Sequence, residues 1–352
     1  RKLHTLKIIR KGPIIHLKIL LRLIIAMVLI IVGAAAWAWI EIQRFAQQPA
    51  GGEGAMVVID VAPGTGFNAF SAQLQRHGII ASPMRFKILA RIQGDDKQVK
   101  AGEYGLAATM TPREILDTVV NAKVLLHRLT IPEGYTIDQI ATEVENLGLS
   151  DADIFKQLAH DPEMLAELTL EGPSLEGYLF PDTYYFPRHA TARSMITKMV
   201  QNFRDQFSEA WHERARELNL SLHELVTLAA MIEKETGHPS ERPLIASVFH
   251  NRLRRNMRLE SDPTAVYGIE NFDGRITRQH LQAETPYNTY RIRGLPLGPI
   301  ANPGRASLEA ALYPAESDYL FFVSKKDGSH HFSTTYAEHN AAIRKYLRGG
   351  RP

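Results

Sequence analysis

A run of 18 residues without a charge, Leu23 to Ile40 (LIIAMVLIIVGAAAWAWI), sets the first limit on what this chain can become. As a helix it would rise about 27 Å, close to the ~30 Å hydrocarbon thickness of a bilayer. Trp37 and Trp39 stand at its far end, where interfacial aromatic residues collect. Arg1, Lys2, Lys7, Arg10, Lys11, Lys18 and Arg22 precede it with no acid among them. Positive-inside logic keeps residues 1–22 in the cytoplasm as a basic tail. It makes residues 23–40 a single transmembrane helix and sends the rest of the chain across the membrane. A cleaved signal peptide competes, because alanines follow the apolar core, but this run exceeds the usual h-region of about 7–15 residues, and a retained anchor is favoured.

The tail also distorts the overall charge. The formal net charge is +3, yet beyond residue 22 the chain carries 34 Lys and Arg against 38 Asp and Glu. A mildly acidic body argues against a nucleic-acid groove. The 352 residues leave room for two domains, and 45% apolar with 22% charged residues is ordinary for a folded protein. There is no cysteine, hence no disulfide framework. The fourteen histidines are scattered, His330-His331 is the one adjacent pair, and no HExxH-like spacing surrounds it, so nothing points to a metal or another cofactor.

Residues 41–55 are polar with Gly and Pro, as a linker would be. Val57–Val61 then reads as a strand, Pro63–Gly66 as a turn, and Phe67, Phe70 and Leu74 as the core positions of a short helix. A second helix covers about 82–93, Gly102-Glu103-Tyr104 leads into a closing strand, and Thr111-Pro112-Arg113-Glu114 opens a helix with a capping box. Leu129-Thr130-Ile131-Pro132-Glu133-Gly134-Tyr135, followed by Ile137, Ile140 and Val144, echoes the first strand, turn and helix. This is either a duplication or two unrelated units with similar turns.

Beyond residue 145 helical patterns prevail to about 255, interrupted by the aromatic segment Leu175–Phe186. Rings interleaved with Glu176 and Asp182 suit a sugar cleft, but on sequence alone a packed aromatic loop is the favoured reading. From Leu259 the chain is rich in turns, and loops of that kind tend to line sites. Tyr319–Val323 and His330–Phe332, joined through Asp327-Gly328, read as a terminal hairpin.

One helix carries a more specific signal. At about 100° per residue, Leu225, Leu228, Ala229 and Ile232 share a face, and Glu235 falls at the edge of that stripe. Glu233 points well to one side. The helix should stop near Thr236-Gly237-His238-Pro239. Partial burial raises a carboxyl pKa and lets the group deliver a proton, so Glu235 is a candidate general acid; on position alone it is also an ordinary helix-terminal glutamate.

Ile232-Glu233-Lys234-Glu235-Thr236 is followed by Ser240-Glu241-Arg242, Ala246-Ser247-Val248-Phe249-His250-Asn251-Arg252-Leu253 and Met257-Arg258-Leu259. Ser261-Asp262-Pro263-Thr264, Tyr287-Asn288-Thr289-Tyr290 and Gly294-Leu295-Pro296 come next. In this order and spacing the run resembles the MltG (YceG-like) endolytic murein transglycosylases, from the membrane anchor to the end of the catalytic domain.

The resemblance implies an α+β chain: a single N-terminal transmembrane helix, a small LysM-like α/β module at 56–122, and a mixed α+β catalytic domain at 123–352. That domain would have a helical part and a C-terminal part rich in loops and strands. It implies Glu235 as the catalytic acid/base of a lytic transglycosylase that cleaves the β-1,4 bond between N-acetylmuramic acid and N-acetylglucosamine in nascent peptidoglycan strands. The products would carry 1,6-anhydro-muramyl ends, and the enzyme would act as a strand terminase.

Expected partners are peptidoglycan strands, the membrane and peptidoglycan synthases, with no nucleic acid. The expected place is the inner (cytoplasmic) membrane, N-terminus cytoplasmic and catalytic domain periplasmic. Ser261, Asp262, Tyr287 and Asn288 are candidates for holding N-acetyl and hydroxyl groups, with Asp262 equally a turn cap. Glu176, Asp182 and Glu233 complete the candidate substrate-contacting set, although Glu233 also reads as an ion-paired neighbour. Arg242 and Arg252 would pair with site carboxylates or with substrate peptide. Two other readings stay open. A muramidase-type hydrolase would need Glu176, Asp182 or Asp262 as a second carboxylate, and a non-catalytic peptidoglycan-binding scaffold would need none.

Overall fold

The computed structural model describes residues 12–51, 54–269 and 272–347; most of the basic tail lies outside the described residues. The chain divides into two compact units, residues 1–125 and 126–352.

In the first unit, helix α1 runs from Gly12 to Gln47. It contains the apolar span, and mean hydropathy is high enough and the helix long enough to cross a membrane. It does not stop where the linker was expected. Ile42, Phe45 and Ala46 recur at helical spacing and are buried with the unit's core, so residues 41–47 extend the helix instead of forming a flexible tether. Strand β1 (Val57–Val61), α2 (Phe67–Arg76), α3 (Pro83–Gln93), β2 (Gly102–Leu106) and α4 (Pro112–Val120) follow. β1 and β2 pair antiparallel, Ile59 opposite Tyr104. Ser82 caps α3, and the capping box of Thr111 and Glu114 forms as the spacing predicts.

The second unit opens with the echo of the first: β3 (Leu126–Thr130), a turn, and α5 (Ile137–Asn146) behind its own capping box, Thr136 with Gln139. α6 (Ala152–Ala159) and α7 (Pro162–Glu167) lead to β4 (Thr183–Pro187), which pairs antiparallel with β3. The aromatic segment thus ends in a strand. Tyr184 and Phe186 alternate inward and stack at 5.8 Å, while Tyr185 points out. Tyr178 and Phe180 are buried as well. Tyr178, Phe180, Tyr184 and Phe186 are core, as the packed-loop reading expects, and within β4 the period of a strand turns every second ring inward.

Helices α8 (Ala192–Arg204), α9 (Glu209–Glu217), α10 (Leu222–Glu235) and α11 (Arg242–Arg254) follow, then short α12 (Asp262–Val266) and α13 (Arg278–Gln282), then α14 (Arg305–Leu312). β5 (Phe321–Ser324) and β6 (His330–Ser333) make the expected hairpin before α15 (Tyr336–Tyr346). α10 departs from its amphipathic pattern, since Leu225 through Ile232 are all buried. It is the central strut of the unit, with α11, α12 and α14 packed on it. Thr227, Ala229 and Ala230 let those neighbours close on every side.

Candidate active site

At its C-terminal turn the buried middle of α10 gives way to partly exposed residues, and Glu235 is the last residue of the helix. It lines a cleft of about 960 Å³ together with Thr136, Asp138 and Gln139 at the start of α5, Asp262, and the rings of Tyr267 and Tyr287. That volume accommodates a ligand of several rings. The carboxyl Oε1 accepts a 2.6 Å hydrogen bond from Ser261 Oγ. Among the described residues Ser261 is the one partner of this carboxyl group, so Oε2 remains available to the cleft.

Burial pushes the carboxyl up to about 7; the Ser261 hydroxyl and the Arg252 charge oppose this, and the Asp262 charge adds to it. Glu235 therefore holds a proton near neutral pH that an exposed glutamate would have lost.

Ser261 is held by residues that share its own motifs. Its amide donates to Thr289 Oγ1 at 2.9 Å, and Thr264 Oγ1 donates to its carbonyl at 2.6 Å. The two threonine hydroxyls lie 2.7 Å apart, which leaves Thr289 as donor to Thr264. All three residues are buried. This closed network fixes the serine opposite the carboxyl. Asp262 opens α12, lines the cleft, and accepts from Tyr290 Oη at 2.7 Å. Tyr287 packs on Tyr267 with ring centroids 4.7 Å apart.

The other candidates are placed elsewhere. Asn288 is fully buried and donates to the carbonyls of His280, Leu281 and Ala283, tying a loop together. Asp182 accepts from the Thr183 amide and from Asn202, and borders a separate depression beside β4. Glu233 turns to the start of α14. It accepts from the Gly304 amide (3.1 Å) and Ser307 Oγ (2.7 Å), and Arg242 stands 3.5 Å away. An acid at a helix N-terminus with a paired arginine is an architectural contact.

Glu176 is buried under the cleft. It accepts from the Ile137 amide, Asn302 Nδ2 (2.8 Å) and Tyr267 Oη (3.0 Å). Burial raises its carboxyl to about 8 against those donors. Gly177 beside it takes φ +88°, and a Cβ there would come within 2.6 Å of both Pro299 and Val226, so this close crossing requires glycine. Arg252 donates to the carbonyls of Leu320, Arg258 and Leu259 and pairs with Glu260 at 3.2 Å. Both arginines thus serve protein carboxylates, Glu233 for Arg242 and Glu260 for Arg252.

Sequence reasoning missed Tyr267, Asp138 and Gln139 in the lining. Thr136 and Gln139 carry a capping signature, which reads as structure and hides their second position at the cleft mouth. Nothing local distinguishes Tyr267.

A buried helix ending in one carboxyl poised near neutrality, at the wall of an open cleft, is the construction of an acid–base enzyme. The chain belongs to the YceG-like family, whose sequence profile matches residues 59–345. It is 33% identical over 307 residues to the endolytic murein transglycosylase of Bacillus subtilis, covering 83% of this chain and 85% of that protein. It is 27% identical over 323 residues to the protein of the same name from Streptococcus pneumoniae, where the match spans 83% of this chain and 58% of that protein. The crystal structure of a YceG-like protein from Listeria monocytogenes superposes with a TM-score of 0.56 at 34% identity, over 82% of this chain and all of that one.

Proposed function

We propose that this chain is a membrane-anchored lytic transglycosylase that cleaves the β-1,4 bond between N-acetylmuramic acid and N-acetylglucosamine within peptidoglycan strands. The observation that carries the reading is Glu235, a carboxyl raised to about 7 with one oxygen available to the cleft. Its proton passes to the glycosidic oxygen as the bond from that oxygen to the muramyl anomeric carbon breaks. The C6 hydroxyl of the same muramyl residue then bonds to that carbon, and its proton returns to the Glu235 carboxylate. No water is consumed, so no second carboxylate is needed, and the product ends as a 1,6-anhydro sugar.

Ser261 orients the carboxyl, while Tyr287, Tyr267 and Asp262 contact the sugars. The strand–helix–helix–strand order of the first unit supports its reading as the LysM-like module. The basic residues before α1 support a cytoplasmic N-terminus and an extracytoplasmic catalytic unit at the inner membrane. Termination of strands beside peptidoglycan synthases fits that location.

Asp262 lines the same cleft and favours a second reading, a hydrolase. Mass spectrometry of glycan digests separates the two. Transglycosylation yields ends lighter by one water than reducing ends, and predominantly reducing ends would refute the proposal.

The pH profile is a further test. The resting enzyme must be protonated at Glu235, so kcat/KM is expected to fall as pH rises through about 7. The Ser261 hydroxyl stabilises the carboxylate, hence Ser261→Ala should move that limb to higher pH; a limb that stays in place or moves down contradicts the assignment.

A further inference from the structure

Helix α3 carries an apolar stripe that none of the described residues covers. Met84, Ile88 and Ile92 recur every fourth residue, about 40° apart around the axis, and are 74%, 37% and 43% exposed. The opposite side of the helix supplies Phe86, Leu89 and Ala90 to the core. Arg85 flanks the stripe on one side, Lys87 and Arg91 on the other, and the helix has no acid. Arg91 reaches Asp96 at 3.4 Å across exposed surface, an attraction worth little in water, and Lys87 donates to the neutral amide of Asn68. Exposed apolar residues between basic flanks are the pattern of a helix lying in a membrane interface.

The position of α3 names the occupant. α3 packs on α1, sharing a core with Ile42, Phe45 and Ala46. Those residues lie about 3–9 Å along the axis beyond Ile40, the end of the uncharged span. The headgroup layer of a bilayer is about 5–8 Å deep. Because residues 41–47 are helical and Ile42, Phe45 and Ala46 are buried in the core of the first unit, that unit cannot drift from the bilayer on a tether.

We propose that α3 is a second membrane contact. Met84, Ile88 and Ile92 dip into the interface, and Arg85, Lys87 and Arg91 hold anionic phospholipid headgroups of the bilayer that α1 spans. The proposal rests on reading α1 as the anchor. It would hold the first unit against the lipid surface and fix the height at which it meets glycan.

The chain has no cysteine, so single labels report cleanly. The full-length protein with Ile88→Cys, Ala72→Cys (an exposed position on α2) or Val28→Cys carries a nitroxide. Each is placed in single-copy nanodiscs of phosphatidylcholine with or without phosphatidylglycerol. Collision with oxygen, which concentrates in lipid, is compared with collision with a polar nickel complex. The oxygen-to-nickel ratio at Ile88 should exceed that at Ala72 at least threefold in anionic discs. It should fall toward the Ala72 value in neutral discs and in the Arg85→Glu/Arg91→Glu background.

An Ile88 label as wet as Ala72 while Val28 stays lipid-immersed overturns the contact and leaves the anchor intact. A water-exposed Val28 overturns the anchor itself. An Ile88 label shielded from both reagents means a protein occupant, and immersion indifferent to headgroup charge removes the anionic lipid; either result overturns the proposal.

Discussion

Replacing Glu235 by Gln is expected to lower kcat on peptidoglycan strands by at least about 10²–10⁴-fold, with KM little changed. Gln keeps the shape of the side chain and an oxygen that can still accept from Ser261 Oγ. It has no proton to give and no carboxylate to take one back. The fold should not suffer. An unfolded glutamate loses its proton near 4.5 and this one near 7, so between those values the folded state holds a proton that the unfolded state releases. Stability of the parent therefore falls as pH rises through that window, and the loss is complete above it. The glutamine variant escapes this cost. Its melting temperature should match the parent at pH 4 and exceed it at pH 8, as calorimetry at the two pH values would reveal. Strand cleavage at the parental rate would remove Glu235 from the chemistry.

The second large effect is expected at Glu176. Ala there leaves the Ile137 amide, the Asn302 amide and the Tyr267 hydroxyl without their acceptor, and buried orphans cost about 1–3 kcal/mol each. A loss of roughly 3–5 kcal/mol should appear in the denaturation midpoint of the second unit. Activity should drop with it, because Tyr267 forms part of the cleft wall. Glu176→Gln behaves differently. Its carbonyl serves Ile137 and Asn302, and its amide donates to the Tyr267 oxygen, much as the protonated acid would. That variant should keep most stability and a kcat within a fewfold of the parent. A kcat loss comparable to that of Glu235→Gln in this variant would instead make Glu176 the second carboxylate of a hydrolase.

These two glutamates show how far the primary structure could be read. Glu235 was legible because helical period is local: Leu225, Leu228, Ala229 and Ile232 set a face and the glutamate falls on its edge. Ser261, Asp262 and Tyr287 stood out through their motifs; Ser261 bonds the carboxyl, and Asp262 and Tyr287 line the same cleft. Asn288 and Asp182 belonged to equally suggestive segments and yet face backbone amides and carbonyls. A polar side chain in a loop looks the same whether its partner is a sugar or the chain itself. The aromatic run ending in Phe186 left two readings open for a related reason, since a ring that stacks on sugar and one that fills a core have identical chemistry until the fold chooses a side.

What the sequence by itself determined is what depends on a few neighbouring residues: the uncharged span of α1, the capping box of α4, the terminal hairpin, and the helical phase that sets Glu235 apart from Glu233. Only the tertiary structure decided which polar groups lose water and which partners they find. Packing on every side of α10 desolvates Glu235 at its end, and loops more than 25 residues away in sequence bring Ser261, Thr264 and Thr289 together to hold it. Burial and hydrogen-bond satisfaction depend on neighbours distant in sequence. A shifted pKa is therefore a property of the folded surroundings and not of the local run of residues.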